Sequence, residues 1–147
     1  MGNPFIIKYA AAKEIKASPE SIWKVITDFP NYHLWNSFTP NIEVEWKIGG
    51  KVLMTVHMKK GKNAIMQTEF ISKINSPHEF AYGMNWGIFL KAERIQRLSR
   101  TNGHTIYFTE DVIKGVLCPI VHLIYGKSIK NGFERVALGL KTYMEKR

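Results

Sequence analysis

Residues 50–114 alternate between apolar and polar side chains in short runs, and brief turn sequences separate these runs. The first run covers residues 50–59, the second 64–75 and the third 80–85. A period of two is typical of β-strands, and connections this short can join only antiparallel neighbours. The sequence therefore predicts an antiparallel sheet, which needs a second layer to cover one of its faces.

The last two strands of this sheet are expected over residues 89–100 and 104–114. Asn102 and Gly103 lie between them, and Asn-Gly is favoured where a two-residue turn requires positive φ angles. The sequence therefore predicts a tight hairpin, but alternation alone does not say which face of each strand points inward.

The C-terminal segment changes to helical spacing. Its apolar positions recur every three or four residues at Ile129, Phe133, Val136, Ala137, Leu140 and Met144. A helix from Pro119 onward would span roughly 43 Å and could cross the whole sheet. Gly126 is a candidate break between a short helix over 119–125 and the main helix.

The N-terminal part predicts a strand over residues 9–16 followed by two short helices. Ser18 stands where an N-cap belongs, and Pro19 occupies the first helical position. Helical spacing follows at Ile22, Val25, Ile26 and Phe29. Pro30 is expected to end this helix at the preceding residue, and Asn31 is suited to cap a second one. An aromatic row of Tyr32, Trp35 and Phe38 follows.

Composition predicts a single domain over residues 1–147 and limits the compartment and the partners. Cys118 is the single cysteine, so no internal disulfide can form, and the expected location is the cytoplasm. The net charge of +9 favours anionic partners, such as an anionic membrane surface or an acidic ligand. The alternative is a basic surface that is simply solvated. The sequence leaves the oligomeric state open.

Three stretches carry a family resemblance: ASPESIWKVITDFPNYHLWNSF at 17–38, TIYFTEDVIKG at 105–115 and GFERVALGLKTYME at 132–145. With Gly49-Gly50 opening a strand, they resemble the Bet v 1-like, START-related superfamily, also called SRPBCC or polyketide cyclase/dehydratase-like. The resemblance implies an α+β helix-grip fold. A curved antiparallel sheet would wrap around a long C-terminal helix, with two short helices after the first strand and an apolar cavity inside.

The resemblance also implies that Tyr107, Thr109 and Asp111 face this cavity. We hypothesise that Arg97 and Asp111 form a buried pair that orients a ligand hydroxyl, carbonyl or carboxylate, because a buried charge needs a partner. Core packing is the alternative for Trp35 and the methionines, and a solvated face is the alternative for the charged pair. The full set of expected ligand-binding residues is Tyr32, Trp35, Phe38, Met54, Val56, Met66, Tyr82, Arg97, Tyr107, Thr109, Asp111 and Phe133.

Three functions remain open at this point. The first is binding or transport of a small hydrophobic ligand that is lipid-, polyketide- or quinone-like. The second is a cyclase/dehydratase-like enzyme, for which the available acids and bases are His57, Glu93, Tyr107 and Asp111. The third is an RNA or ribosome interaction module. The basic turn with Lys59, Lys60 and Lys62 lacks the interleaved aromatic pattern of nucleic-acid modules, which argues against it. No cofactor or metal is expected, since no zinc, P-loop or dinucleotide motif is present.

Overall fold

A computed structural model describes residues 2–58 and 63–146. The strands in these residues are β1 Ile6–Ile15, β2 Ile42–Val44, β3 Lys51–Val56, β4 Ile65–Asn75, β5 Glu79–Asn85, β6 Lys91–Thr101 and β7 His104–Lys114. They form one antiparallel sheet in the order β1-β7-β6-β5-β4-β3-β2. The strands follow one another as a meander, except that β1 closes the sheet beside β7. The helices are α1 Pro19–Ile26, a 3₁₀ helix Phe29–Leu34 and α2 Cys118–Glu145.

The predicted α+β helix-grip fold is confirmed. The antiparallel sheet curves around α2, and α1 and the 3₁₀ helix follow the first strand. The core lies between the inner face of the sheet and these helices. The hairpin between β6 and β7 turns at Asn102 and Gly103, whose φ angles are 40° and 84°, as Asn-Gly predicts. The basic turn predicted at Lys59, Lys60 and Lys62 lies outside the described residues, and β3 ends at Val56.

The two short helices begin as their first residues dictate. The Ser18 hydroxyl accepts a hydrogen bond from the Ser21 N–H at 3.1 Å, which confirms the predicted N-cap of α1. Asn31 does not cap the second helix, which already begins at Phe29. Pro30 occupies the first turn of that helix, where the N–H that proline lacks would have no partner. The prediction that Pro30 ends the first helix at Phe29 is wrong, because α1 already ends at Ile26 and Phe29 belongs to the 3₁₀ helix.

Helix α2 runs without interruption through Gly126, so the predicted break is wrong. A Cβ at Gly126 would stand 3.2 Å from the Tyr9 hydroxyl oxygen and 3.0 Å from the His122 ring. Glycine thus allows α2 to approach β1 closely, and tertiary packing outweighs its weak helix propensity. At 28 residues the helix is about 42 Å long. In the described part of the chain, no helix combines the length and the apolar character needed to cross a bilayer.

Candidate functional site

A cavity of about 390 Å³ lies between the inner face of the sheet and the first half of α2. Trp86 and Tyr125 line it and are 62% and 38% exposed, so they mark the mouth where the cavity meets solvent. The remaining apolar wall consists of Phe38, Met54, Val56, Met58, Ile65, Met84, Leu90, Ala92, Ile113, Leu117, Val121 and Ile129. Such a volume lies within the range of small-molecule sites, about 300–1,000 Å³.

Four polar side chains also line this cavity: Gln67, Glu69, Arg94 and Asp111. Arg94 on β6 and Asp111 on β7 stand directly opposite each other in the strand register. Both are partly buried, and both line the cavity. Glu69 projects from β4 and is 8% exposed. The apolar cavity therefore contains one polar cluster, which we define as Glu69, Arg94 and Asp111.

Aromatic rings hold the guanidinium of Arg94 in place. Its Cζ atom lies 4.5 Å from the ring centroid of Phe133 and 5.1 Å from that of Phe38, both within cation–π range. Its Nη1 donates a hydrogen bond of 3.3 Å to the Tyr82 hydroxyl. Among the described residues, no carboxylate oxygen lies within 4.0 Å of its nitrogens. Arg94 therefore has donors left for a group inside the cavity.

The carboxyl groups of the polar cluster have raised pKa values. Burial raises the pKa of Glu69 to about 7; the charge of Arg94 opposes this shift and that of Asp111 adds to it. Burial raises the pKa of Asp111 to about 6, again against the influence of Arg94. Burial lowers the pKa of Arg94, but Tyr82, Asp111 and Glu69 outweigh it, so Arg94 stays charged. Near neutral pH, Glu69 can thus act as a hydrogen-bond donor or as an acceptor.

The structure places the predicted site residues in four groups, of which three lie at the cavity or in the packing around it. Phe38, Met54, Val56 and Asp111 line the cavity. Tyr82 and Phe133 lie behind the wall, where they contact Arg94. Tyr32, Trp35, Tyr107 and Thr109 are buried in the surrounding packing and do not line it. The Tyr107 hydroxyl, for example, donates a 2.7 Å hydrogen bond to Gln96 Oε1, and the Tyr32 hydroxyl donates to the Ile26 carbonyl oxygen.

The two remaining predicted residues, Arg97 and Met66, face away from the cavity. Arg97 lies on the outer face of β6, where its Nε donates to Glu79 Oε2 at 3.1 Å, so the proposed pair with Asp111 is wrong. Arg94, three residues earlier, points inward instead, because side chains alternate between the two faces of a strand. Met66 is 72% exposed for the same reason, since its neighbours Ile65 and Gln67 occupy the inner face of β4.

Of the acid–base candidates named from the sequence, only Asp111 lines the cavity. Glu93 lies on the outer face, where its Oε2 accepts a 2.7 Å hydrogen bond from the Ser72 hydroxyl. Tyr107 is engaged with Gln96, and His57 follows the end of β3 outside the cavity wall. Sequence reasoning missed Glu69 and Arg94. Within the polar cluster, the groups that can exchange protons with a molecule in the cavity near neutral pH are therefore the carboxyl groups of Glu69 and Asp111.

Three comparisons with known proteins bear on the family. A family model described as polyketide cyclase / dehydrase and lipid transport matches residues 7–145. No curated protein sequence matches the chain. Many solved structures do match it.

A START superfamily protein from Mycobacterium smegmatis is 15% identical over 95% of this chain and 97% of its own, with a TM-score of 0.73. The di-domain ARO/CYC BexL from the BE-7585A biosynthetic pathway is 10% identical, with a TM-score of 0.76 over 99% of this chain and 52% of its own. A norcoclaurine synthase mutant from Thalictrum flavum is 13% identical over 96% of this chain and 95% of its own, with a TM-score of 0.68.

At these identities the structural likeness shows the fold alone. The family match covers nearly the whole chain, including the segments that form the cavity and its polar cluster. It confirms the SRPBCC resemblance that the sequence carried. The chain shares its fold with a START superfamily protein and belongs to the polyketide cyclase / dehydrase and lipid transport family.

Proposed function

We propose that the protein binds one small, mainly apolar molecule in the 390 Å³ cavity and holds a hydroxyl or carbonyl group of that molecule against the polar cluster. The observation that carries this proposal is the incomplete hydrogen bonding of the Arg94 guanidinium. Its guanidinium faces the cavity with a single hydrogen bond of 3.3 Å to Tyr82. Its other donors are open to the cavity, where a ligand oxygen can accept hydrogen bonds from them.

A neutral polar group fits the cluster better than a carboxylate does. Near neutral pH the charge of Arg94 is offset by Asp111 and by the ionised fraction of Glu69, whose pKa values are about 6 and about 7. A ligand carboxylate would add a further negative charge beside them, which is unfavourable in a buried site. A carbonyl can accept from Arg94, and a hydroxyl can in addition donate to a carboxylate.

Mass spectrometry of the purified protein, native and then after organic extraction, tests the proposal. The expected result is a stoichiometric apolar compound that carries a hydroxyl or carbonyl group. Calorimetric titration with 2-naphthol, as a defined probe, is expected to saturate at one site. The absence of both a co-purified molecule and saturable 2-naphthol binding would contradict the proposal.

A pair of matched variants locates the site. Ala92 lines the cavity, so Ala92→Leu fills part of it and is expected to weaken 2-naphthol binding at least tenfold. Ala12→Leu adds the same atoms at an exposed position on β1 and serves as the control. Equal affinities of the two variants would show that the probe binds elsewhere.

The role of Arg94 is tested by comparing 2-naphthol with 2-methylnaphthalene, which has a similar apolar body but no hydroxyl. A hydrogen bond to a charged group contributes about 1.5–3 kcal/mol, so wild type is expected to prefer 2-naphthol by tenfold or more. Arg94→Gln is expected to reduce this preference without abolishing the binding of 2-methylnaphthalene. An unchanged preference would exclude Arg94 as the anchor.

A cyclase-like enzyme is the second candidate, and the raised pKa of Glu69, about 7, specifically favours it. A group with a pKa near the working pH can accept a proton from a carbon beside a carbonyl and return it to a leaving hydroxyl. Arg94 could stabilise the enolate oxygen that forms between these steps. The family description and the ARO/CYC neighbour support a role of this class.

Heptane-2,6-dione is a simple probe for this second candidate. Its intramolecular aldol reaction forms one carbon–carbon bond, and the loss of one water molecule then gives 3-methylcyclohex-2-enone. An enzyme of this class would accelerate the appearance of the enone, and Glu69→Gln would remove the acceleration. No acceleration over buffer, for a protein shown to bind the probe, would leave binding alone as the function.

A further inference from the structure

Large apolar side chains are exposed around the mouth of the cavity. Leu123 and Ile88 are 85% and 74% exposed. We define the apolar rim as Ile88, Phe89, Val116, Ile120, Leu123 and Ile124, each of which is at least half exposed. A monomeric protein seldom exposes so many large apolar residues together unless they form an interaction site.

The apolar rim is continuous in space although it comes from two parts of the chain. The N–H of Val116 donates to the carbonyl oxygen of Ile88 at 3.0 Å, and that of Leu117 donates to Phe89 at 3.1 Å. The loop between β5 and β6 is thus bonded to the start of α2. Ile120, Leu123 and Ile124 share one face of the first turns of α2 because they are three and four residues apart. Leu90 and Val121, next to rim residues in the chain, line the cavity.

The two chain segments that carry this rim contain charges of one sign. Residues 84–92 and 112–133, which contain the whole apolar rim, include no Asp or Glu. They include four lysines: Lys91, Lys114, Lys127 and Lys130. Lys91 and Lys114 stand directly opposite each other in the register of β6 and β7, an unfavourable arrangement for like charges. Within the described residues, neither has a carboxylate oxygen within 4.0 Å.

We propose that the apolar rim and its lysines dock the protein onto an anionic lipid bilayer, with the mouth of the cavity facing the lipid. Apolar side chains enter the boundary between headgroups and acyl chains, while lysines are attracted to the negative surface. A second copy of this chain is a poorer occupant, because a two-fold interface would place each lysine cluster against its own copy. Docking in this orientation would let an apolar ligand pass between bilayer and cavity without crossing water.

Vesicle flotation tests this proposal with wild-type protein and two vesicle compositions. Vesicles of phosphatidylcholine with about 30% phosphatidylserine are expected to carry the protein, and vesicles of pure phosphatidylcholine to carry far less of it. Lys114→Gln with Lys127→Gln is expected to weaken binding about 20-fold at low salt, since each lysine near the surface contributes roughly a factor of five. Failure of wild type to bind the phosphatidylserine vesicles overturns the proposal.

A matched pair of double variants tests the orientation. Ile88→Ser with Leu123→Ser removes two rim side chains and is expected to reduce binding at least tenfold. Leu34→Ser with Leu138→Ser removes two side chains that are 53% and 54% exposed away from the rim, and is expected to bind like wild type. All four side chains are exposed, so the urea midpoints should stay unchanged. Equal losses in both variants, or a solution dimer that only the rim variant dissociates, would overturn the proposal.

Discussion

Replacing Glu69 by glutamine is expected to stabilise the protein, and more so at high pH than at low pH. Glu69 is buried, and in the part of the chain that the structure describes no hydrogen bond offsets that burial. Burial raises the pKa of its carboxyl from 4.5 to about 7. The neutral form is therefore the one that the fold accommodates, and destabilisation develops as the pH rises from 4.5 to about 7.

The magnitude follows from the separation of these two pKa values. Full ionisation of Glu69 lowers the free energy of unfolding by about 3 kcal/mol relative to a neutral side chain of the same shape. Glu69→Gln should thus gain under about 1 kcal/mol near pH 5 and about 3 kcal/mol near pH 8. Urea unfolding followed by circular dichroism at the two pH values measures both differences.

Glu93→Gln is the control for this experiment, because it removes an exposed carboxylate from the outer face of the same sheet. Its effect on the free energy of unfolding should stay within about 1 kcal/mol at either pH. A gain for Glu69→Gln that is the same near pH 5 and near pH 8 would refute the reasoning. A loss of stability at both pH values would show that the carboxyl has a bonding role in the fold.

Three further outcomes are expected from variants outside the polar cluster. Gly139→Ala should lower the free energy of unfolding by about 1–3 kcal/mol, as measured with urea, because the new Cβ would overlap the Trp35 carbonyl oxygen. This loss is expected despite the better helix propensity of alanine, and a gain in the free energy of unfolding would contradict the packing. Tyr107→Phe leaves Gln96 without its hydroxyl partner and should lower the free energy of unfolding by about 1–3 kcal/mol. The affinity for 2-naphthol, measured by calorimetry, should stay unchanged. Arg97→Ala should leave that affinity unchanged as well, since Arg97 lies on the outer face; a loss would place the ligand elsewhere.

Elements of the fold that depend on local chemistry could be predicted from the sequence. The period-two runs predicted β4 and β5, and Asn102-Gly103 predicted the last hairpin. Both predictions were possible because side-chain alternation and turn conformation are properties of short segments. The short strand β2 was not predicted as an element. With three residues, it is too brief to display a period.

Only part of the polar cluster could be predicted from the sequence. A two-residue turn makes Thr101 and His104 partners, and an equal number of steps along both strands brings Arg94 opposite Asp111. Counting from the turn would therefore have selected Arg94 rather than Arg97. Glu69 offered no such signal, because a charged residue is ordinarily assigned to the solvent face and its burial depends on the space left by other strands.

The five methionines among the described residues can report on the central claim, because some of them line the cavity and others do not. Met54, Met58 and Met84 line the cavity, whereas Met66 is exposed on the outer face and Met144 lies near the end of α2. An NMR titration of protein labelled at the methionine methyl groups, with 2-naphthol or 1-decanol as the added probe, measures all of them together. Saturable shifts at Met54, Met58 and Met84, with Met66 and Met144 unmoved, are the expected result. No response to either probe, or equal shifts at Met66, would contradict a ligand site inside the sheet.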